Sequence, residues 1–418
     1  MFGVKTFIKN NLLYPKFLFP KNADKFPQKP VSQIRIKARL FGLVNKIKEQ
    51  KKHAGLSNLI TYPHQAATDV WKMLLSYNPN NLGNWSIKGI EPNQETEAIE
   101  KELISQMIDL YHGNKDELEG YVTSGGTEAN IFSAWIGRKY LESLGVSKDK
   151  ICLVKTSLTH HSVGKSADII GVPTFTTALD ERTWGMDTAK FIKTIKKLDK
   201  IGYLGFLVPL TLGYTLTGTI DPCEEICNTI RMIKKKQRVE FFVWIDAALN
   251  GLIEPFLNEE FGPFAFPEIQ IFFTDFHKFG FVPIPAGIIL YRRNLRSLIE
   301  KQIGYLDQRD NTVLGSRSGI APVACWAVIH ALAKSGFRRL IFKNKRRMDK
   351  FINTYRDEKR LEFVVHPRSL SCGIIIKNQS FNFKKLEKEF GLDFRKTEII
   401  FTDKSKDLLI SKTFFLRR

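Results

Sequence analysis

Lys278, in the run Asp275-Phe276-His277-Lys278-Phe279-Gly280, stands at the end of an apolar stretch beside a carboxylate and an imidazole. A lysine in that setting has two readings. One is a structural ion pair, and the other is an amine whose pKa is lowered so that it attacks a carbonyl. Asp246, in Trp244-Ile245-Asp246-Ala247-Ala248, emerges from a second apolar run, where a carboxylate is costly to bury without a cationic or hydrogen-bonding partner. In Tyr121-Val122-Thr123-Ser124-Gly125-Gly126-Thr127-Glu128-Ala129-Asn130, a strand end meets two glycines, a hydroxyl and a helix start. Bare N–H groups and a positive dipole end there suit a phosphate, although a lone Gly-Gly-Thr turn is equally an ordinary glycine turn with Thr127 as its N-cap. The run matches neither the Walker lysine loop nor GxGxxG, which disfavours nucleotide binding. The fourth constellation, Ser157-Leu158-Thr159-His160-His161-Ser162-Val163-Gly164-Lys165, has adjacent histidines but no carboxylate or cysteine at a ligand spacing. Adjacent side chains in a helix or strand point apart, so no metal is expected. Cys223 and Cys227 lie i, i+4 without a partner CxxC or HxxxH, and are read as core.

Positioning these residues requires a regular scaffold. Apolar runs at 151–155, 173–178, 205–210, 241–246, 269–275 and 287–293 alternate with helical stretches such as 186–197 and 221–236. Buried strands alternating with helices predict a mostly parallel sheet in an α/β domain. Before it, ETEAIEKELISQMIDLYHG is an amphipathic helix stopped near Gly113. Residues 1–60 read as a basic N-terminal arm with a helical period over 34–52, residues 61–330 as a large domain, and residues 331–418 as a small basic α+β C-terminal domain opened by a long helix.

The chain has 418 residues and a formal net charge of +21. The excess is confined to the ends: residues 1–60 hold 13 Lys/Arg against 2 Asp/Glu and residues 331–418 hold 23 against 10, while residues 61–330 hold 28 against 31. The basic ends are therefore flanking surfaces suited to an anionic membrane, nucleic acid or an acidic partner, or to simple solvation. With 43% hydrophobic residues, global disorder is excluded. Five scattered cysteines argue against a disulfide framework and for a reducing compartment. No stretch reaches the roughly 18 consecutive apolar residues of a membrane span, and the first residues lack a signal-peptide pattern. A cytoplasmic protein is expected.

Taken in order, TSGGTEAN, THHSVGK, GYTLTGTID at 213–221, DAALNG and FHKFGFVPIPAG resemble the fingerprint of the group II amino-acid decarboxylases that depend on pyridoxal 5'-phosphate. The resemblance covers about residues 75–335, and within the family the chain is most similar to histidine and serine decarboxylases. Asn80-Asn81-Leu82-Gly83-Asn84-Trp85 resembles their substrate-side segment, and YLDQRDNTVLGSR at 305–317 their loop ending in GSR. His161 stands where the family usually has Tyr and Asn250 where it has a small residue, which bears on substrate more than on cofactor.

The resemblance implies an aspartate-aminotransferase-like (fold type I) domain, usually homodimeric with the active site at the subunit interface. By the same resemblance Lys278 would hold the cofactor covalently, Asp246 would pair with its ring nitrogen, and His160 and Ala248 would flank the ring. Gly125, Gly126, Thr127 and His277 would form the phosphate site, and Thr215 would lie near the cofactor's phenolic oxygen and the substrate carboxylate. Tyr305 would either donate the proton to Cα or serve as a loop anchor with its ring packed and its hydroxyl in water, His161 being the next choice of donor, and Ser316 and Arg317 would reach the partner subunit's site. The implied reaction is decarboxylation of an L-amino acid to a primary amine, histidine to histamine being the first choice. The alternatives are a pyridoxal-phosphate lyase acting on a phosphorylated sphingoid base and a catalytically silent relative that binds anionic surfaces.

Overall fold

The computed structural model describes residues 30, 32–52, 62–83, 94–304, 308–359, 361–376, 398–400, 405–407 and 410–413. Asn84, Trp85 and Tyr305 lie outside the described residues. Residues 1–58 and 59–418 are two compact units. In the first, helix α1 (Gln33–Lys52) exposes Ile36, Leu40, Leu43, Val44 and Ile47, which its sequence interleaves with Lys and Arg.

The second unit follows the alternation read from the sequence. In chain order it comprises α2 (Gln65–Leu74), β1 (Asn80–Leu82), α3 (Glu95–Leu110), β2 (Leu118–Thr123), α4 (Gly126–Ser143), β3 (Ile151–Lys155), α5 (His161–Ile170), β4 (Thr174–Thr176), α6 (Thr188–Lys200) and β5 (Gly205–Thr211). It continues with α7 (Cys223–Lys236), β6 (Glu240–Asp246), α8 (Glu254–Leu257), β7 (Ile269–Thr274), β8 (Gly287–Arg292), β9 (Lys301–Ile303), β10 (Gln308–Asp310), β11 (Ser316–Ser318) and α9 (Ile320–Thr354). Strands β12 (Leu361–Val365) and β13 (Ser371–Ile376) follow, then β14 (Glu398–Ile400), β15 (Ser405–Asp407) and β16 (Ile410–Thr413).

Seven strands form the central sheet in the order β2-β8-β7-β6-β5-β3-β4. All neighbours are parallel except those of β8, which runs antiparallel to both β2 and β7. The chain thus has the mostly parallel α/β sheet expected of it. Strand β6 shows why its sequence is almost continuously apolar: Phe241, Val243 and Ile245 enter the core on one face, and Phe242 and Trp244 the core on the other. A sheet covered on both sides has no polar face, and successive side chains alternate between the two layers. Helix α4 lies close against the second face because Gly137 has no Cβ; one there would stand 2.6 Å from the ring of Phe242.

Helix α3 starts with a reciprocal capping box between Gln94 and Glu97, and α6 with Asp187 accepting from the N–H of Lys190. The charge boundary at residue 330 falls inside α9, three residues before a break at Ala333 (φ 51°, ψ −178°). Among the described helices α9 alone is long and apolar enough to cross a membrane, and half of its most apolar window is buried within the protein. Beyond it, β12, β13 and β16 make an antiparallel three-stranded sheet.

Candidate active site

Because β2, β3, β5, β6 and β7 are mutually parallel, their C-terminal ends share one sheet edge, where open α/β sheets bind ligands. A cavity of about 250 Å³ opens there. Its lining brings together Gly125, Gly126, Thr127, His160, Thr215, Asp246, Ala248, His277 and Lys278. His161, Ser316 and Arg317 do not line it, and Tyr305 lies outside the described residues.

The β2–α4 turn supplies the first wall. Gly125 holds φ at 139°, a conformation that L side chains avoid, and a Cβ on it would meet His277 Cε1 at 2.7 Å. Gly126 is the first residue of α4, an 18-residue helix, so its amide belongs to the unsatisfied first turn at the positive end of the dipole. The N–H of Ser124 is already used, donating to Glu128 Oε2 at 2.7 Å.

The segment after β7 supplies the second. Asp275 is buried, and its Oδ2 lies 3.2 Å from Lys278 Nζ and 3.4 Å from His277 Nε2. His277 Nδ1 is 2.8 Å from the carbonyl of Ala286, which only accepts, so Nδ1 carries a hydrogen and Nε2 faces Asp275.

Asp246 ends β6. Its Oδ1 accepts from the N–H of Ala248 at 3.1 Å and its Oδ2 from Asn130 Nδ2 at 2.9 Å. Burial pushes its pKa up, while the Asn130 hydrogen bond and the charge of Lys278 hold it down. His160 caps α5, its Nδ1 lying 2.7 Å from Ser162 Oγ and accepting from the N–H of Ser162. Burial first, and the Lys278 charge second, lower its pKa to about 4, so the imidazole is neutral at pH 7. His161 lies beside it with ring centroids 4.1 Å apart and the planes tilted by 44°.

Under the 213–219 loop, Asp221 accepts from the N–H groups of Met186 and Thr211, both at 2.7 Å, and from Tyr214 Oη. Tyr214 lines the cavity and also contacts Thr156 Oγ1 at 2.8 Å. Asn250 reaches the carbonyl of Arg368, tying the edge of the site to the segment between β12 and β13.

Arg317 is 6% exposed and bound within its own chain, its Nη1 2.5 Å from Glu100 Oε1 and 3.1 Å from the carbonyl of Val122, and its Nη2 donating to the carbonyl of Gly83, while its buried Nε has no hydrogen-bond partner among the described residues. The pairing of β1 with β11, Asn81 opposite Arg317, sets this arrangement. Sequence spacing also missed Asn130, Ser162, Trp244 and Asp221 as participants. Asn130 lay inside the quoted glycine-turn motif, but its partners are remote in sequence.

The site fits pyridoxal phosphate. Two amides bare of Cβ at a helix start suit an anion, Lys278 suits an aldehyde, and a buried carboxylate suits a protonated ring nitrogen. The buried Oδ1 of Asp275 has no hydrogen-bond partner among the described residues and lies under the same turn, 3.6 Å from where a Gly125 Cβ would be.

Residues 83–376 match the family model described as the pyridoxal-dependent decarboxylase conserved domain. The chain is 31% identical over 253 residues to a tryptophan decarboxylase of Clostridium sporogenes, a match spanning 60% of each protein. It is 29% identical over 293 residues to a histidine decarboxylase of Morganella morganii, covering 68% of this chain and 72% of that one. Among solved structures, the L-methionine decarboxylase of Streptomyces sp. 590 superposes with a TM-score of 0.76 at 16% identity, over 95% of this chain and 94% of that one.

Proposed function

The chain belongs to the pyridoxal-dependent decarboxylase family, carboxy-lyases that use pyridoxal 5'-phosphate, and from that premise we propose that it decarboxylates an L-amino acid to a primary amine, with histidine the first substrate to test. The observation that carries this reading is the convergence of Lys278, Asp246, His160, His277 and the Gly125-Gly126-Thr127 turn on one cavity at the parallel strand ends.

When bound, the cofactor supplies an electron sink for the pair released as carbon dioxide leaves. The protein's part is binding, orientation and charge. Lys278 would hold the cofactor through Nζ. Gly126 N–H, Thr127 Oγ1 and His277 would hold the phosphate, the imidazole oriented by its bond to the carbonyl of Ala286. Asp246 would keep a proton on the ring nitrogen, as a carboxylate beside a cation favours both charged forms. His160 and Ala248 would flank the ring, and Thr215 would meet the substrate carboxylate. Tyr305, or in its place His161, would deliver the proton to Cα. Leu158, Tyr214 and Leu249 give the cavity an apolar side that suits an aromatic or heteroaromatic side chain.

A homodimer with the site at the interface is part of this proposal. Its support is the exposure of Met73, Leu75 and Tyr77, the last 80% exposed, directly before β1 and the substrate-side segment. The exposed apolar and basic residues of α1 support contact of the N-terminal arm with an anionic surface, and the free thiols of Cys152, Cys227, Cys325 and Cys372 support a cytoplasmic setting.

The test is incubation of pure protein and pyridoxal phosphate with each amino acid, histidine and tryptophan first, measuring carbon dioxide and amine. Stoichiometric carbon dioxide and amine from one of them is the expected result. Failure with all of them, or aldehyde release from a phosphorylated sphingoid base instead, would overturn the proposal.

A further inference from the structure

Asn130 sits between Asp246, which the proposed mechanism sets against the ring nitrogen, and His160, which it sets on the ring face. It is fully buried on α4, and its side-chain amide has one possible orientation. The indole Nε1 of Trp244, which only donates, lies 2.9 Å from Asn130 Oδ1, so the other amide atom is the nitrogen. Both hydrogens of Nδ2 are then used, one on Asp246 Oδ2 and one on Ser162 Oγ, each at 2.9 Å. The backbone N–H of Ser162 points at His160 Nδ1 from 3.3 Å, so Nδ1 accepts and carries no hydrogen. Ser162 Oγ, which accepts from Asn130, therefore turns its own hydrogen to His160 Nδ1 at 2.7 Å. The ring is therefore neutral, with its hydrogen on Nε2.

We propose that Asn130 and Ser162 are positioning residues that form one directional relay, Trp244 to Asn130 and then to both Asp246 and Ser162–His160, holding the carboxylate ionised and the imidazole neutral. A donor pair on Asp246 favours its anion, and a donor pair on His160 Nδ1 excludes the imidazolium. The groups facing this pair are Lys278 and Asp275, which act on both ends, and His161 and Lys165, which act on His160. The relay fixes what those charges alone leave open, the tautomer of His160 and the rotamer of Asp246. That catalysis needs a neutral ring and an ionised carboxylate rests on the proposed function. The relay itself does not.

The experiment uses the full-length enzyme loaded with pyridoxal phosphate. Asn130→Leu removes the donor to Asp246. A hydrogen bond to a charged group contributes about 1.5–3 kcal/mol, so the acid limb of the kcat profile should move up by about one to two pH units while KM changes little. Asn130→Asp keeps the Trp244 bond and hence the packing, but it sets a second carboxylate against Asp246 and should move the limb at least as far. The bound cofactor's absorbance, titrated against pH, should shift in parallel and needs no substrate. Ser162→Ala should leave the acid limb in place and change only His160, read from 15N-histidine NMR of the whole chain as a shift of the Nδ1 signal, since the backbone N–H of residue 162 is then its single donor. Folded, cofactor-loaded Asn130 variants with wild-type limbs and wild-type absorbance titrations, or a wild-type His160 protonated on Nδ1, would overturn the relay. Shifted absorbance titrations without turnover of any amino acid would uphold it and refute the decarboxylase reading.

Discussion

Arg317→Met is expected to destabilise the protein by about 3–4 kcal/mol, toward the lower end for breaking a buried pair. Glu100 is fully buried and would lose both guanidinium contacts, 2.5 Å at Oε1 and 3.2 Å at Oε2. It would keep two donors, Asn81 Nδ2 and the N–H of Val122, each at 2.7 Å, and these limit the penalty of the stranded carboxylate. The carbonyls of Gly83 and Val122 would lose their charged donor, and the Tyr121 ring a cation 5.0 Å from its centroid. Glu100→Gln should cost a similar amount, since it leaves a buried cation facing only neutral acceptors. The double variant removes both charges and should be less destabilised than the sum of the singles by about 2 kcal/mol or more. Urea denaturation of all four proteins, compared by midpoint at constant slope, measures this cycle. A single Arg317→Met variant within about 0.5 kcal/mol of wild type, or strict additivity, would refute the reasoning.

Lys278→Ala should abolish the covalent cofactor: borohydride reduction should fix a phosphopyridoxyl group on the peptide containing Lys278 in wild type only, as read by mass spectrometry. Asp246→Asn should retain cofactor yet lose on the order of a hundred-fold or more in kcat, because the shape stays while the charge opposite the ring nitrogen goes. Tyr305→Phe should slow amine formation and raise aldehyde as a by-product, with KM little changed. Burial pushes Glu254 up from 4.5 to about 7 against the opposing charge of Arg368. The folded state therefore binds its proton more tightly than the unfolded chain does, so stability present below about pH 4.5 is lost as pH rises to about 7. Relative to wild type, Glu254→Gln should gain on the order of 3 kcal/mol in denaturation free energy between pH 4.5 and pH 8.

The strands were legible because a sheet buried on both faces forces unbroken apolar runs, as in β5 and β6. The cavity residues were legible because turn chemistry and strand ends are local: Gly125 and Gly126, Asp246 and Lys278 each announce themselves within a few positions. What spacing concealed was long-range pairing. Nothing near Asn130 shows that it meets Trp244 and Asp246, and nothing near Arg317 shows Glu100 waiting for it. The antiparallel direction of β8 was equally hidden, since an apolar run looks the same in either sense.

Strand β8 also bears on the order in which the chain is assembled. It is the only ladder partner of β2 among the described strands, with Thr123 opposite Gly287, and it follows Lys278 in sequence. Until residues 287–292 leave the ribosome, β2 has no neighbour, and the glycine turn that continues from it has no fixed place beside Lys278. Closing so long a loop costs entropy before any contact repays it, so this edge of the sheet cannot form until β8 is available. A nascent chain cut off before β8 should therefore carry the reactive lysine but no phosphate cradle. Pyridoxal phosphate would then select chains that have completed the sheet, stabilising those and leaving truncated ones exposed to proteolysis.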